Sequence, residues 1–190
     1  MEIQKLTDQE LVKLSLEDAE NFAFLIGKYE KSLFRYIKRL GNFSDEDAED
    51  ILQEVFIKIY QNLNDFDLKL KFSSWIYRIT HNHTISFFRK SKSRPDLLSS
   101  EDSEKVFMVL SSNLDIEEKI DQNLEKDKIR ELLNQLDKKY RDVLILKFLE
   151  DKDYNEISDI LRKPIGTIST LINRAKTKFK ELLIKYKIYA

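Results

Sequence analysis

The chain contains no cysteine, only three glycines and only two prolines in 190 residues. Without cysteine there are no disulfides and no thiolate metal sites. So little glycine and proline, together with scarce strand-like alternation, leaves no material for tight hairpins and points to an all-α protein. Long apolar runs are missing as well. No segment approaches the roughly 20 residues of a membrane span, and the N-terminal MEIQKLTDQELVKLSLED has no apolar stretch of signal-peptide type. A cytoplasmic protein without membrane insertion is expected. The acidic cluster at 45–54 is accompanied by no Ser/His/Asp or Cys/His arrangement and no Gly-rich phosphate loop. His81 and His83 stand two apart on a predicted helix, where side chains do not face one another. Catalytic residues, a metal site and a cofactor are therefore not expected.

What the chain does have is charge, segregated along its length. The total is −1, yet residues 162–190 carry eight Lys and Arg against Glu181 alone, a net of +7. That concentration supplies salt-dependent attraction for phosphate. Residues 95–127 carry ten carboxylates against three lysines, a net of −7. They read as an acidic linker, although Val106-Phe107-Met108-Val109-Leu110 is too apolar for solvated coil. The expected organisation is a helical domain over 1–94, the linker over 95–127, and a second helical domain over 128–190.

Periodicity fills in these domains. Residues 17–40 read as one long helix, with Phe22, Leu25, Ile26, Tyr29, Leu33, Tyr36, Ile37 and Leu40 recurring every three or four positions and Gly41 as the stop. Ser44 is a candidate N-cap for a second helix that runs to about Asn62 and buries Ile51, Leu52, Val55, Phe56 and Ile59. A turn-rich stretch over 64–71 follows, and then a third helix from Phe72 to Lys90 with Phe72, Trp75, Ile76, Ile79, His83 and Phe87 on one side. Toward the C-terminus, Tyr154, Ile157, Ile160 and Leu161 mark a short helix, Arg162-Lys163-Pro164 a turn, and Pro164 a helix opening. In the last helix Ile165, Ile168, Ile172, Ala175, Phe179 and Leu182 share one arc. Opposite them lie Gly166, Thr170, Asn173, Arg174 and Thr177, flanked by Thr167, Ser169, Lys176, Lys178 and Lys180. Short hydrogen-bonding side chains near a helix N-terminus, with cations further along, suit base edges in a major groove and the phosphates around them. The pattern is a helix-turn-helix with its recognition helix.

Two surfaces in the first domain stand out. On the wet face of the second helix, Asp50, Gln53, Glu54 and Ile57 lie along one stripe, an apolar residue framed by carboxylates and an amide, as in a protein-docking patch. Downstream, Phe66, Phe72 and Trp75 are interleaved with Lys69, Lys71, Arg78, Arg89 and Lys90, a combination that can stack and hold unpaired bases. The spacing of Phe72 and Trp75 is that of core residues, which leaves Phe66 and the loop lysines for the stacking role.

Four segments, DAEDILQEVFIKIY (47–60), KFSSWIYRITHNHTISFFRK (71–90), LDKKYRDVLILKFLEDKDYNEISDIL (136–161) and PIGTISTLINRAK (164–176), resemble a bacterial sigma factor of the extracytoplasmic-function type, the small class that keeps only sigma regions 2 and 4. The resemblance implies a promoter-specificity subunit of RNA polymerase, with no catalysis of its own, that helps to melt the −10 element. It implies that Asp50, Gln53, Glu54 and Ile57 dock on the clamp helices of the polymerase β′ subunit. The −10 element would be met by Phe66, Lys69, Lys71, Ser73 and Asn82, with Arg78, Arg89 and Lys90 on its backbone. The −35 element would be read by Gly166, Thr167, Ser169, Thr170, Asn173, Arg174, Thr177 and Lys178. Further implied partners are the β flap and an anti-sigma factor, and the acidic linker resembles a segment threaded through the RNA exit path. The family usually carries Gly where Arg162 or Lys163 stands, and a left-handed backbone at either would cost about 1–2 kcal/mol. The rival reading is a self-sufficient dimeric helix-turn-helix regulator with 1–94 as its sensor or dimerisation domain; the aromatic and cationic loop 64–72 argues against it.

Overall fold

The computed structural model describes residues 6–41, 43–91, 100–112 and 131–186, which are helical with no strand among them. The chain divides into two compact units, Met1–Lys38 with Phe43–Arg94, and Pro95–Ala190 with Arg39–Asn42.

The first unit opens with a helix that periodicity did not reveal. α1 (Asp8–Glu17) is started by a capping box in which the Glu10 amide donates to the Thr7 hydroxyl at 3.3 Å and the Thr7 amide donates to the Glu10 carboxylate at 2.8 Å. Leu11 and Val12 are its buried residues, together with Ser15, whose hydroxyl donates to the Leu11 carbonyl at 2.7 Å. Asp18 then takes an extended backbone and caps a 3₁₀ turn at Ala19–Asn21, so the helix expected over 17–40 begins five residues late, as α2 (Phe22–Leu40). α3 (Asp45–Gln61) starts as expected: the Ser44 hydroxyl accepts from the Asp47 amide at 3.0 Å, and Asp45, Glu46 and Asp47 sit at the positive end of the helix dipole. The Lys38 ammonium donates to the Phe43 carbonyl and pairs with Asp45, which ties the α2–α3 connection to the start of α3.

α4 (Phe72–Ser91) corrects the expected stripe. Phe72, Trp75, Ile76, Tyr77, Thr80, His81, Thr84 and Phe88 are buried, whereas Ile79, His83 and Phe87 are only half-buried. Three of the buried polar groups, Thr80, Thr84 and His81, find partners within the unit. The Thr80 hydroxyl donates to the Ile76 carbonyl at 2.9 Å, that of Thr84 to the Thr80 carbonyl at 2.8 Å, and His81 Nδ1 lies 2.9 Å from the Tyr36 hydroxyl.

In the second unit, α5 (Ser100–Ser112) falls within the stretch read as linker, and its Val106, Phe107 and Leu110 are buried, as the apolar run at 106–110 suggested. The remainder of that stretch, 95–99 and 113–127, lies outside the described residues. α6 (Lys138–Leu144) continues into a π-helical turn at Ile145–Leu149. α7 (Tyr154–Leu161) begins on a second capping box, Asp153 with Glu156, and buries Ile157 and Ile160. α8 (Ile165–Lys185) packs against α6 and α7, and its Phe179 ring meets Phe107 of α5 edge-on at 6.1 Å between centroids.

Candidate protein and nucleic-acid interfaces

The wet face of α3 follows from its own periodicity. Ala48, Ile51, Leu52, Val55 and Ile59 are buried, which turns Asp50, Gln53, Glu54 and Ile57 outward, all of them exposed. Ile57 keeps 56% of its surface, and Tyr60, one turn further and 45% exposed, extends the apolar part of the stripe. The Tyr60 ring packs at 5.1 Å against Phe22. Tyr60 is missing from the residues expected from sequence, although the step from 57 to 60 carries the same helical spacing. Glu54 lies 2.8 Å from Nε2 of His83 on α4. Burial holds the His83 imidazole below its usual range, against the pull of Glu54 and with help from Lys58 and Lys90, so it is mostly uncharged at neutral pH. Beside this face, α2 and α3 enclose a groove of about 660 Å³ whose lining includes Phe34, Leu52 and Gln53.

The loop between α3 and α4 contradicts one expectation. Phe66 is only 6% exposed. Its ring meets Phe72 edge-on at 5.1 Å and Trp75 at 5.2 Å, so all three aromatics are core and Phe66 has no free face for a base. The reason is local. A 3₁₀ turn at Leu63–Asp65 buries Leu63 and leads the chain straight into the core at Phe66. After it, Asp67 folds a tight turn, its carboxylate accepting from the Lys69 amide at 2.9 Å and its carbonyl from the Leu70 amide at 2.9 Å. This turn leaves Leu68, Lys69, Leu70 and Lys71 exposed. On α4, Arg78, Asn82 and Arg89 fall within about 40° of one another at 100° per residue. Asn82, Arg89 and Lys90 are exposed, while Arg78 and Ser73 are half-buried. Ser73 lies roughly 140° around the helix from Arg78, so the structure does not bring it to the same stripe.

The back of α8 is formed by Ile168, Ile172, Ala175, Phe179 and Leu183. Two members of the expected arc are thereby corrected. Ile165, the first helical residue after the turn, is 47% exposed, and Leu182 is half-buried where Leu183 is buried. Leu182 and Leu183 flank the centre of the arc on either side, and packing, not angle, selects between them. Gly166, Thr167, Thr170, Asn173, Arg174, Thr177 and Lys178 are all exposed, and Ser169 is half-buried. A Cβ at Gly166 would meet nothing within 4 Å. The turn that presents this face has Arg162 in the left-handed region, φ 50° and ψ 51°. Ser158 closes it: its carbonyl accepts from the Arg162 and Lys163 amides, and its hydroxyl donates to the Lys163 carbonyl at 2.6 Å. Nearby in the same unit, burial pushes the Asp142 carboxyl up to about 6, against the opposing pull of Lys138 and Arg141. Among the described residues, no three His, Asp or Glu side chains gather as metal ligands, and no helix is long and apolar enough to cross a membrane.

Known proteins resemble this chain along most of its length. Residues 25–94 match the family described as Sigma-70 region 2, and residues 126–179 match Sigma-70, region 4. The chain is 32% identical over 173 residues to the ECF RNA polymerase sigma factor SigW of Bacillus subtilis (strain 168), which covers 87% of this chain and 90% of that protein. It is 29% identical to the ECF RNA polymerase sigma-E factor of Haemophilus influenzae over 91% of this chain and 93% of the relative. Among solved structures, CnrH in complex with the cytosolic domain of CnrY shares the fold with a TM-score of 0.67 at 20% identity, covering 94% of this chain and 97% of that one. The sigma factor RpoE of Bartonella quintana, solved with the anti-sigma factor NepR, gives 0.61 at 19% identity, over 86% of this chain and 97% of that one. The chain belongs to the extracytoplasmic-function family of RNA polymerase sigma factors, of the sigma-70 type with regions 2 and 4.

Proposed function

We propose that this sigma factor divides its work among the three surfaces described above, acting in the cytoplasm as a dissociable specificity subunit without catalytic residues of its own. The α3 face, Asp50, Gln53, Glu54 and Ile57 extended by Tyr60, docks on the β′ clamp helices of core polymerase. A half-exposed apolar pair ringed by carboxylates and an amide supports this, since desolvating Ile57 and Tyr60 supplies affinity while the charged rim supplies orientation. The −10 element is met by Lys69 and Lys71 of the loop, by Arg78, Asn82 and Arg89 along α4, and by Ser73 and Lys90 at its flanks. With Phe66 in the core, the exposed Leu68 and Leu70 are the apolar surface on which an unpaired base can rest.

α8 reads the −35 element through Gly166, Thr167, Ser169, Thr170, Asn173, Arg174, Thr177 and Lys178. The observation that carries this reading is the division of α8 into a fully buried apolar back and an exposed polar, cationic front, delivered by a turn fixed through Ser158. Residues 95–127 connect the two functions. A solved neighbour of this fold is held by an anti-sigma factor, which supports such a partner here, and the β flap completes the proposed partner set. Run-off transcription from promoter fragments with purified core polymerase, with and without this chain, tests the proposal. Specific initiation only in its presence is expected. Equal transcripts in both arms would overturn it.

A further inference from the structure

We infer that Thr170 faces the −35 duplex as a hydrogen-bond acceptor only, and therefore selects a base edge that carries an amino group, adenine N6 or cytosine N4, and rejects guanine. The inference rests on the reading of α8 as the −35 helix and adds the chemistry of one of its positions.

A threonine hydroxyl owns a single proton. Thr170 Oγ1 lies 2.8 Å from the carbonyl oxygen of Gly166, one turn back on the same helix. A carbonyl cannot donate, so the direction of this bond is fixed without sight of the hydrogen: Thr170 gives its proton to Gly166, and only lone pairs remain on its oxygen. Thr170 is exposed on the front of α8, so any bond that its oxygen makes to a partner there is one that it accepts. In a major groove, guanine offers only acceptors, N7 and O6, at its edge, whereas adenine and cytosine offer the N6 and N4 amino hydrogens. An acceptor-only hydroxyl complements the second pair and sets lone pair against lone pair at the first.

The same bond recurs two turns on. Thr177 Oγ1 donates to the Asn173 carbonyl at 3.2 Å, which leaves Thr177 without a proton for a phosphate oxygen and assigns the backbone contacts there to Arg174 and Lys178. Asn173 keeps both an amide donor and a carbonyl acceptor on its side chain, so α8 presents one versatile reader and one restricted one.

The test uses holoenzyme reconstituted from core polymerase and the full chain, bound to duplexes carrying every single-base change across the −35 element, with apparent Kd measured for wild type, Thr170→Val and Thr170→Ser. Wild type is expected to prefer adenine or cytosine over guanine by about tenfold at one position. Thr170→Val, which keeps the shape but not the oxygen, should collapse that ratio to below about twofold at that position alone, while Thr170→Ser preserves it. Where the chosen base is adenine, replacing it with unsubstituted purine should weaken wild type and leave Thr170→Val unchanged. Guanine preferred at the Thr170-dependent position, or a Thr170→Val profile identical to wild type, overturns the inference. If Asn173→Ala, Arg174→Ala and Lys178→Ala also leave every −35 affinity unchanged, the assignment of α8 itself fails. If those variants bind differently and Thr170→Val does not, only the acceptor inference fails.

Discussion

α4 and α8 are similar in length and both carry pairs of threonines whose hydroxyls bond to the carbonyl four residues back, but in α4 the pair is buried and in α8 it is exposed. In α4 the bond makes a polar side chain cheap to bury, so Thr80 and Thr84 pack like small β-branched residues within the core of the first unit. In α8 the same bond settles what Thr170 and Thr177 have left to offer a partner. One local interaction thus serves packing in one unit and chemistry in the other, and burial alone decides which.

The largest effect is expected at Phe66, which is buried although it stands in an exposed, cationic loop. As a core residue against Phe72 and Trp75, Phe66 should lose about 3–5 kcal/mol when changed to alanine, read as a large fall in the Tm of the first unit. A variant with wild-type Tm that failed only at promoter opening would return Phe66 to the base-stacking role and move the core elsewhere.

Next in size is the α3 face. Glu54→Arg, or Gln53→Ala combined with Ile57→Asp, should leave helicity and Tm near wild type while reducing core-polymerase affinity by about 2 kcal/mol or more. Co-purification with core enzyme checks it, and undiminished binding would put the docking surface on another face.

Asp142 gives a pH-dependent effect of comparable or smaller size. Its carboxyl is raised from 3.8 to about 6 by burial, so the native state holds its proton more tightly than the unfolded chain does. Stability therefore falls as pH rises from about 4 to about 6, and the full penalty of the charged form is present above that window. Asp142→Asn should raise stability at pH 7.5 by on the order of 1–3 kcal/mol and give no gain near pH 3.5. Denaturant melts at the two pH values check the sign.

The smallest expected effect is at the turn. Arg162→Gly relieves a left-handed side-chain residue at the C-terminus of α7 and should stabilise the second unit by about 0.5–1 kcal/mol, less than the full strain because glycine also loosens the unfolded chain. A destabilised variant would show that the Arg162 side chain makes a contribution larger than its backbone strain.

The comparison also explains what was legible in the sequence. The back of α8 is purely apolar, so its period shows directly, and the front follows by subtraction; only Ile165 and Leu182, at the margins of the arc, were misplaced. α3 was legible for the same reason, with Ser44 marking its start, although Phe56, expected in its core, is only half-buried. The bounds of α4 and its buried Phe72, Trp75 and Ile76 were legible too, but the rest of its buried face was not, because Thr80, His81 and Thr84 are polar by type and buried in fact, their hydrogen bonds being invisible in a hydropathy pattern. α1 was missed because it is short and amphipathic on few residues, held by a capping box and by the Tyr29 hydroxyl donating to Asp8 at 2.6 Å. Phe66, an aromatic in a turn-rich, cationic stretch, reads as surface, and the 3₁₀ turn that directs it inward leaves no mark in the hydropathy pattern.

If the front of α8 separates base reading from phosphate attraction, holoenzyme affinity for single-base −35 variants at several salt concentrations divides its residues into two kinds. Asn173→Ala is expected to lose about 1–3 kcal/mol on the preferred sequence and to relax selection at one position, with the salt slope unchanged. Lys178→Ala is expected to weaken every sequence alike and to lower the slope by about one unit. Two variants that weaken all sequences equally and shift the slope together would show instead that α8 holds only the backbone.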